Sequence, residues 1–155
     1  MELWRNVHIS AVLLRIPRKP AAWMKMFYWL SPHTWKMECL HLADESSFRD
    51  NTLDAVKMGA LPMLAHNLKI LHLDNCFHRG ANSDILGLLC LMRRLEQIQI
   101  SCVNHDFIAK ISKLAGLPKL KRLQIQVPSR PCPTAQLFRF RGMEIIGMDI
   151  VLCWL

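Results

Sequence analysis

Short runs of alternating apolar and polar residues recur along the chain, and they share the frame apolar-x-x-apolar-x-apolar. The clearest copies are LKILHLDNC (68–76), LEQIQISCV (95–103) and LKRLQIQVP (120–128), and looser copies begin at residues 4, 37 and 145. Alternation over a few residues is typical of a half-buried β-strand. The pattern therefore predicts six short parallel strands, with frames near 4–9, 37–42, 68–73, 95–100, 120–125 and 145–150.

The stretches between these frames have apolar residues three and four positions apart, which is the spacing of an amphipathic helix. They predict helices over 21–30, 53–64, 83–92, 107–116 and, more briefly, 134–141. Strands and helices therefore alternate, and the step from one frame to the next falls from 33 to 25 residues. We expect a single α/β domain over 1–155, either a repeat array or an ordinary βαβ protein with generic parallel strands.

The frame resembles that of the leucine-rich repeat family, L-x-x-L-x-L-x-x-N/C-x-L. The best copy is Leu68-x-x-Leu71-x-Leu73-x-x-Cys76, with the cysteine at the family's Asn/Cys position. In that family the Asn or Cys satisfies backbone groups at the turn. The resemblance implies a leucine-rich-repeat-like solenoid, a right-handed α/β horseshoe segment of about five to six irregular repeats.

A narrower resemblance lies at the start of the chain. The run LWRNVHIS (3–10) is similar to the segment that leaves an F-box and enters the first repeat of F-box/leucine-rich-repeat proteins. The F-box itself would precede Trp4, so the chain corresponds to the substrate-binding repeats. The implied function is substrate recognition in a ubiquitin ligase, and other ligase components would join only if an F-box lies upstream of Met1.

Alternate strand residues of such a solenoid would form its concave surface. The residue between the two core positions gives a central row, and Gln97 and Arg122 stand two positions earlier on their strands. Polar side chains on a rigid curved sheet suit recognition of a protein or peptide. The predicted protein-binding residues are His8, His41, His72, Gln97, Gln99, Arg122, Gln124 and Asp149.

Charge adds an alternative function. The net charge is +8, and residues 93–155 hold ten Lys or Arg against four acidic residues. Such a basic surface favours polyanions, so a nucleic-acid-binding protein is the second reading. It ranks below protein binding because the basic cluster has no interleaved aromatic residues for base stacking. That cluster comprises Lys110, Lys113, Lys119, Lys121 and Arg122.

The motifs of catalysis and metal binding do not occur. The chain has no GxSxG, P-loop, GxGxxG or HExxH sequence, and its Cys and His residues form no paired CxxC spacing. We therefore expect neither an enzyme nor a resident metal or cofactor. Six cysteines in 155 residues indicate reduced thiols in an intracellular, cytoplasmic or nuclear protein. No apolar run reaches the length of a membrane span.

Overall fold

The computed structural model describes residues 3–10, 14, 19–44, 51–76, 82–101, 107, 110–126, 143–146 and 149–153. Five strands lie side by side in chain order, and each is parallel to its neighbours. They are β1 (Asn6–Ser10), β2 (Cys39–Ala43), β3 (Ile70–Asp74), β4 (Gln97–Ser101) and β5 (Arg122–Gln126). The first five predicted strands are therefore confirmed.

Helices connect the strands as the apolar spacing predicts. They are α1 (Pro20–Leu30), which continues into a 3₁₀ helix (Ser31–Lys36), α2 (Asn51–Leu64) and α3 (Asn82–Leu91). Pro20 begins α1 because a missing N–H costs nothing in the first turn. Before β5, the end of the predicted helix is a 3₁₀ helix (Ile111–Gly116). The helix predicted over 134–141 lies outside the described residues.

The last predicted strand is wrong. The frame near 145–150 does not form one more parallel strand, because it is divided between β6 (Met143–Ile146) and β7 (Asp149–Cys153). These two strands pair antiparallel with each other, and β7 pairs antiparallel with β5. Only residues 147 and 148, Gly-Met, separate them, and a two-residue connection that begins with glycine is a hairpin signal. An apolar frame is compatible with an antiparallel as well as a parallel strand, so it does not exclude a hairpin.

The core lies between the parallel strands and the helices. β2 to β5 each bury alternate apolar residues, such as Leu71 and Leu73 of β3, in one cluster with helix residues such as Phe27, Leu61 and Leu89. The fold is therefore α/β, with helices covering one face of the sheet and the alternate strand residues on the other face. None of the helices in the described ranges has the length and apolarity needed to cross a membrane.

A charge ladder runs along the amino ends of the parallel strands. Its members immediately precede the five strands and alternate in sign: Arg5, Glu38, Lys69, Glu96 and Lys121. Glu38 accepts from Arg5 at 2.9 Å and lies 3.2 Å from the Lys69 ammonium, while Lys121 donates to Glu96 at 2.6 Å. The pKa of the Glu38 carboxyl is lowered, first by its hydrogen bond from Arg5 and then by that from Lys69. Neighbouring strands are thereby matched by charge as well as by backbone pairing.

A buried ion pair lies at the opposite, carboxyl ends of the strands. Lys57 of α2 donates to the Asp44 carboxylate, just after β2, and to the Cys76 carbonyl oxygen, just after β3, at 2.7 Å. The two charged side chains are 2% and 4% exposed. The Lys57 ammonium also lies 4.7 Å from the centroid of the Trp23 ring. One helix side chain thus connects α2 to two strand ends and to α1.

Candidate binding surface

The strand register brings the predicted central row together. His8, His41, His72, Gln99 and Gln124 are paired one to the next across β1 to β5. Their neighbours along each strand are buried, except for the half-buried Val7, whereas these five side chains are exposed or half-buried. We call this row, with the flanking Gln97 and Arg122, the polar face.

Three histidines stack along the first half of the row. The rings of His8 and His41 are parallel, with centroids 4.1 Å apart, and His72 meets His41 edge to face at 5.5 Å. This spacing follows from the distance between neighbouring strands, about 4.8 Å. The histidines therefore form one continuous surface of imidazole groups.

Hydrogen bonds hold two of these rings in place. His41 Nε2 donates to Asp74 Oδ2 at 3.3 Å, and Ser101 Oγ donates to Asp74 Oδ1 at 2.5 Å. The Gln97 amide lies 3.4 Å from His72 Nε2 and can donate to it only when that nitrogen is unprotonated. The face is thus partly preorganised before any ligand arrives.

The electrostatics of the row favour a neutral His72. Burial lowers the pKa of its imidazole below the usual value, and the neighbouring His41 and Arg122 lower it further, while Asp74 acts in the opposite direction. A half-buried ring is poorly solvated when charged, and nearby cations repel the added proton, so both effects oppose protonation. His72 therefore presents a neutral imidazole at physiological pH.

Asp149 does not continue the row. The backbone position beside Gln124 belongs to Val151, and Asp149 pairs with Gln126 instead. An antiparallel strand runs back along β5, so the residue that a sixth parallel strand would place beside Gln124 moves by two positions. The polar face therefore consists of the other seven predicted residues.

Burial sets the environment of two of the described cysteines, Cys76 and Cys39. Cys76 is buried, its Sγ donates to the Leu42 carbonyl oxygen at 2.7 Å, and burial strongly raises the pKa of its thiol. Burial also raises the pKa of the Cys39 thiol, beside the histidine row. Across the described ranges, no three His, Cys, Asp or Glu side chains are grouped so that they could hold a metal ion.

A second surface was missed by sequence reasoning. A groove of about 590 Å³ lies at the amino ends of β1 to β4 and combines two tryptophans with four cationic side chains. We call it the aromatic–cationic groove; its lining includes Trp4, Trp35, Arg5, Lys36, Lys69 and Arg94. Each lining residue lies within four positions of the start of a strand, but these residues are spread over four separate segments of the sequence.

Comparisons of the chain with protein-family models, with curated proteins and with solved structures find no match.

Proposed function

We propose that this protein is a non-catalytic binding module that recognises a protein partner through its polar face. The observation that carries the proposal is the register: five hydrogen-bonding side chains lie side by side across five parallel strands. The buried helical layer fixes their backbone positions, so the partner meets a surface that needs little ordering.

The geometry suits an extended polypeptide segment laid across the strands. Four strand spacings cover about 19 Å, which is the length of about six extended residues. Gln99 and Gln124 each offer a donor and an acceptor, while His72 offers a neutral imidazole and Arg122 a cation at one end. We therefore expect a partner with hydrogen-bonding side chains and an acidic group towards Arg122.

Two features support a leucine-rich-repeat-like solenoid as the scaffold. The helices cover one face of a sheet whose parallel strands follow chain order. Cys76, at the family's Asn/Cys position, bonds the backbone of the preceding strand through the Leu42 carbonyl, as a turn-satisfying residue of that family would. With the resemblance of residues 3–10 to a segment after an F-box, the proposed setting is substrate recognition in a ubiquitin ligase.

The test is selection of peptides from a random displayed library against residues 1–155, followed by affinity measurements with face variants. His41→Ala and Gln99→Ala should each weaken the selected peptides at least about tenfold if they lie at the centre of the interface. His66→Ala, at an exposed position outside the sheet, is the matched control. Peptides that bind the face variants and the parent equally would show that the polar face is not the binding surface.

A further inference from the structure

The aromatic–cationic groove shares no lining residue with the polar face. Three members of the charge ladder line it: Arg5, Glu38 and Lys69, which form ion pairs with one another across neighbouring strands. Asn67 bridges Trp35 and Arg94. Its side-chain amide donates to the Trp35 carbonyl at 2.5 Å and accepts from the Arg94 guanidinium at 2.5 Å. These bonds fix the positions of the groups around the groove.

The groove attracts anions. Four cations and the single acid Glu38 among its lining residues give it a net charge of +3. Glu38 is held by Arg5 and Lys69, whereas Lys36 and Arg94 are exposed and face the same opening. Because exposed Lys and Arg side chains pair readily with phosphate, the groove has the charge that a phosphodiester backbone requires.

The two tryptophans of the groove offer a ligand aromatic surface in addition to charge. Trp35 is 65% exposed, which is unusual for the largest apolar side chain, and the Lys36 ammonium lies 4.7 Å from its ring centroid. Trp4 is held by a parallel stack on His33, with ring centroids 3.9 Å apart, and by an edge contact with Trp29 at 5.1 Å. Exposed aromatic rings beside cations are the elements that bind unpaired bases by stacking and their phosphates by charge.

We propose that this groove binds single-stranded nucleic acid, with a base stacked on Trp35 and phosphates on Lys36 and Arg94. An acidic peptide would satisfy the cations but would make no use of the exposed indole. A duplex keeps its bases stacked on each other and offers none to Trp35. The combination of cations with an exposed indole therefore favours an unpaired strand.

The experiment measures fluorescence anisotropy of a labelled twelve-residue oligothymidylate with residues 1–155 at several salt concentrations. Trp35→Ala should weaken binding by about 5- to 150-fold, the loss expected for one stacked base. Tyr28→Ala is the matched control, because Tyr28 is equally exposed at 69% and does not line the groove. Tyr28→Ala should leave the affinity unchanged.

Charge is tested with a second pair of variants. Lys36→Gln/Arg94→Gln should reduce the slope of log K against log salt by about 1.4, since each lost phosphate contact removes about 0.7. Lys110→Gln/Lys113→Gln removes the same charge outside the groove and should leave the slope unchanged. Equal losses from both double variants, tighter binding of a duplex, or displacement by a phosphopeptide but not by oligothymidylate would overturn the proposal.

Discussion

The buried pair of Lys57 and Asp44 allows a sharp test of what holds α2 on the sheet. Lys57→Met keeps the length of the stem, so it creates little cavity, but it removes the ammonium that faces the Asp44 carboxylate and the Cys76 carbonyl. Because the two charged side chains are only 2% and 4% exposed, water cannot replace the lost donor without opening the core.

The expected cost is large. Removing one partner of a buried ion pair destabilises a protein by about 3–5 kcal/mol, because the remaining charge stays in a medium that solvates it poorly. For a chain of this size each kcal/mol lowers the melting temperature by about 2–4 °C, which gives a drop of about 6–20 °C. Lys57→Met/Asp44→Asn should be more stable than Lys57→Met, since it removes the buried charge as well.

Urea unfolding followed by circular dichroism measures the free energies of unfolding, and thermal melts measure the melting temperatures. Lys69→Met is the control, because it breaks an ion pair of the charge ladder whose lysine is 47% exposed, and such pairs contribute little. If Lys57→Met loses no more stability than Lys69→Met, or if the added Asp44→Asn makes it less stable still, the pair does not hold the core as argued.

A further prediction concerns the histidine row. The folded state lowers the pKa of His72, so the unfolded chain binds that proton more readily, and stability should fall as the pH drops from about 6.5 towards 5. In thermal melts, His72→Gln should lose less stability with acid than the parent, whereas His66→Gln should behave like the parent; identical acid sensitivity of His72→Gln and the parent would contradict the argument.

The strand positions were predictable because they depend on a local pattern. Leu71 and Leu73 must be buried on one side of a strand, so His72 between them must face the other way, and no long-range information is needed. Because the parallel strands share the same frame, equivalent positions align, and His72 lies beside His41 and Gln99. The same rule failed for Asp149, since an apolar frame is equally compatible with an antiparallel strand.

The buried pair and the groove could not be predicted, for a different reason. Lys57 stands among apolar residues of a helix, and its burial depends on Asp44 and Cys76, which lie 13 and 19 residues away. Trp35 and Arg94 come from segments almost sixty residues apart. Neither arrangement has a local signature, because each exists only once the strands have been set in register.

The charge ladder explains how each strand can select its neighbours although all the parallel strands bury similar apolar residues. Leu, Ile and Met are nearly interchangeable in the buried positions, so apolar burial alone would tolerate several strand orders. Alternating charge is less tolerant: exchanging two neighbouring strands would set Arg5 beside Lys69 or Glu38 beside Glu96, and like charges repel across adjacent strands. Each ladder pair contributes little to stability, yet an exchange replaces one or two attractions with repulsions between like charges. The ladder therefore acts on the choice of neighbour, and through it on the alignment of His8, His41 and His72 that forms the polar face.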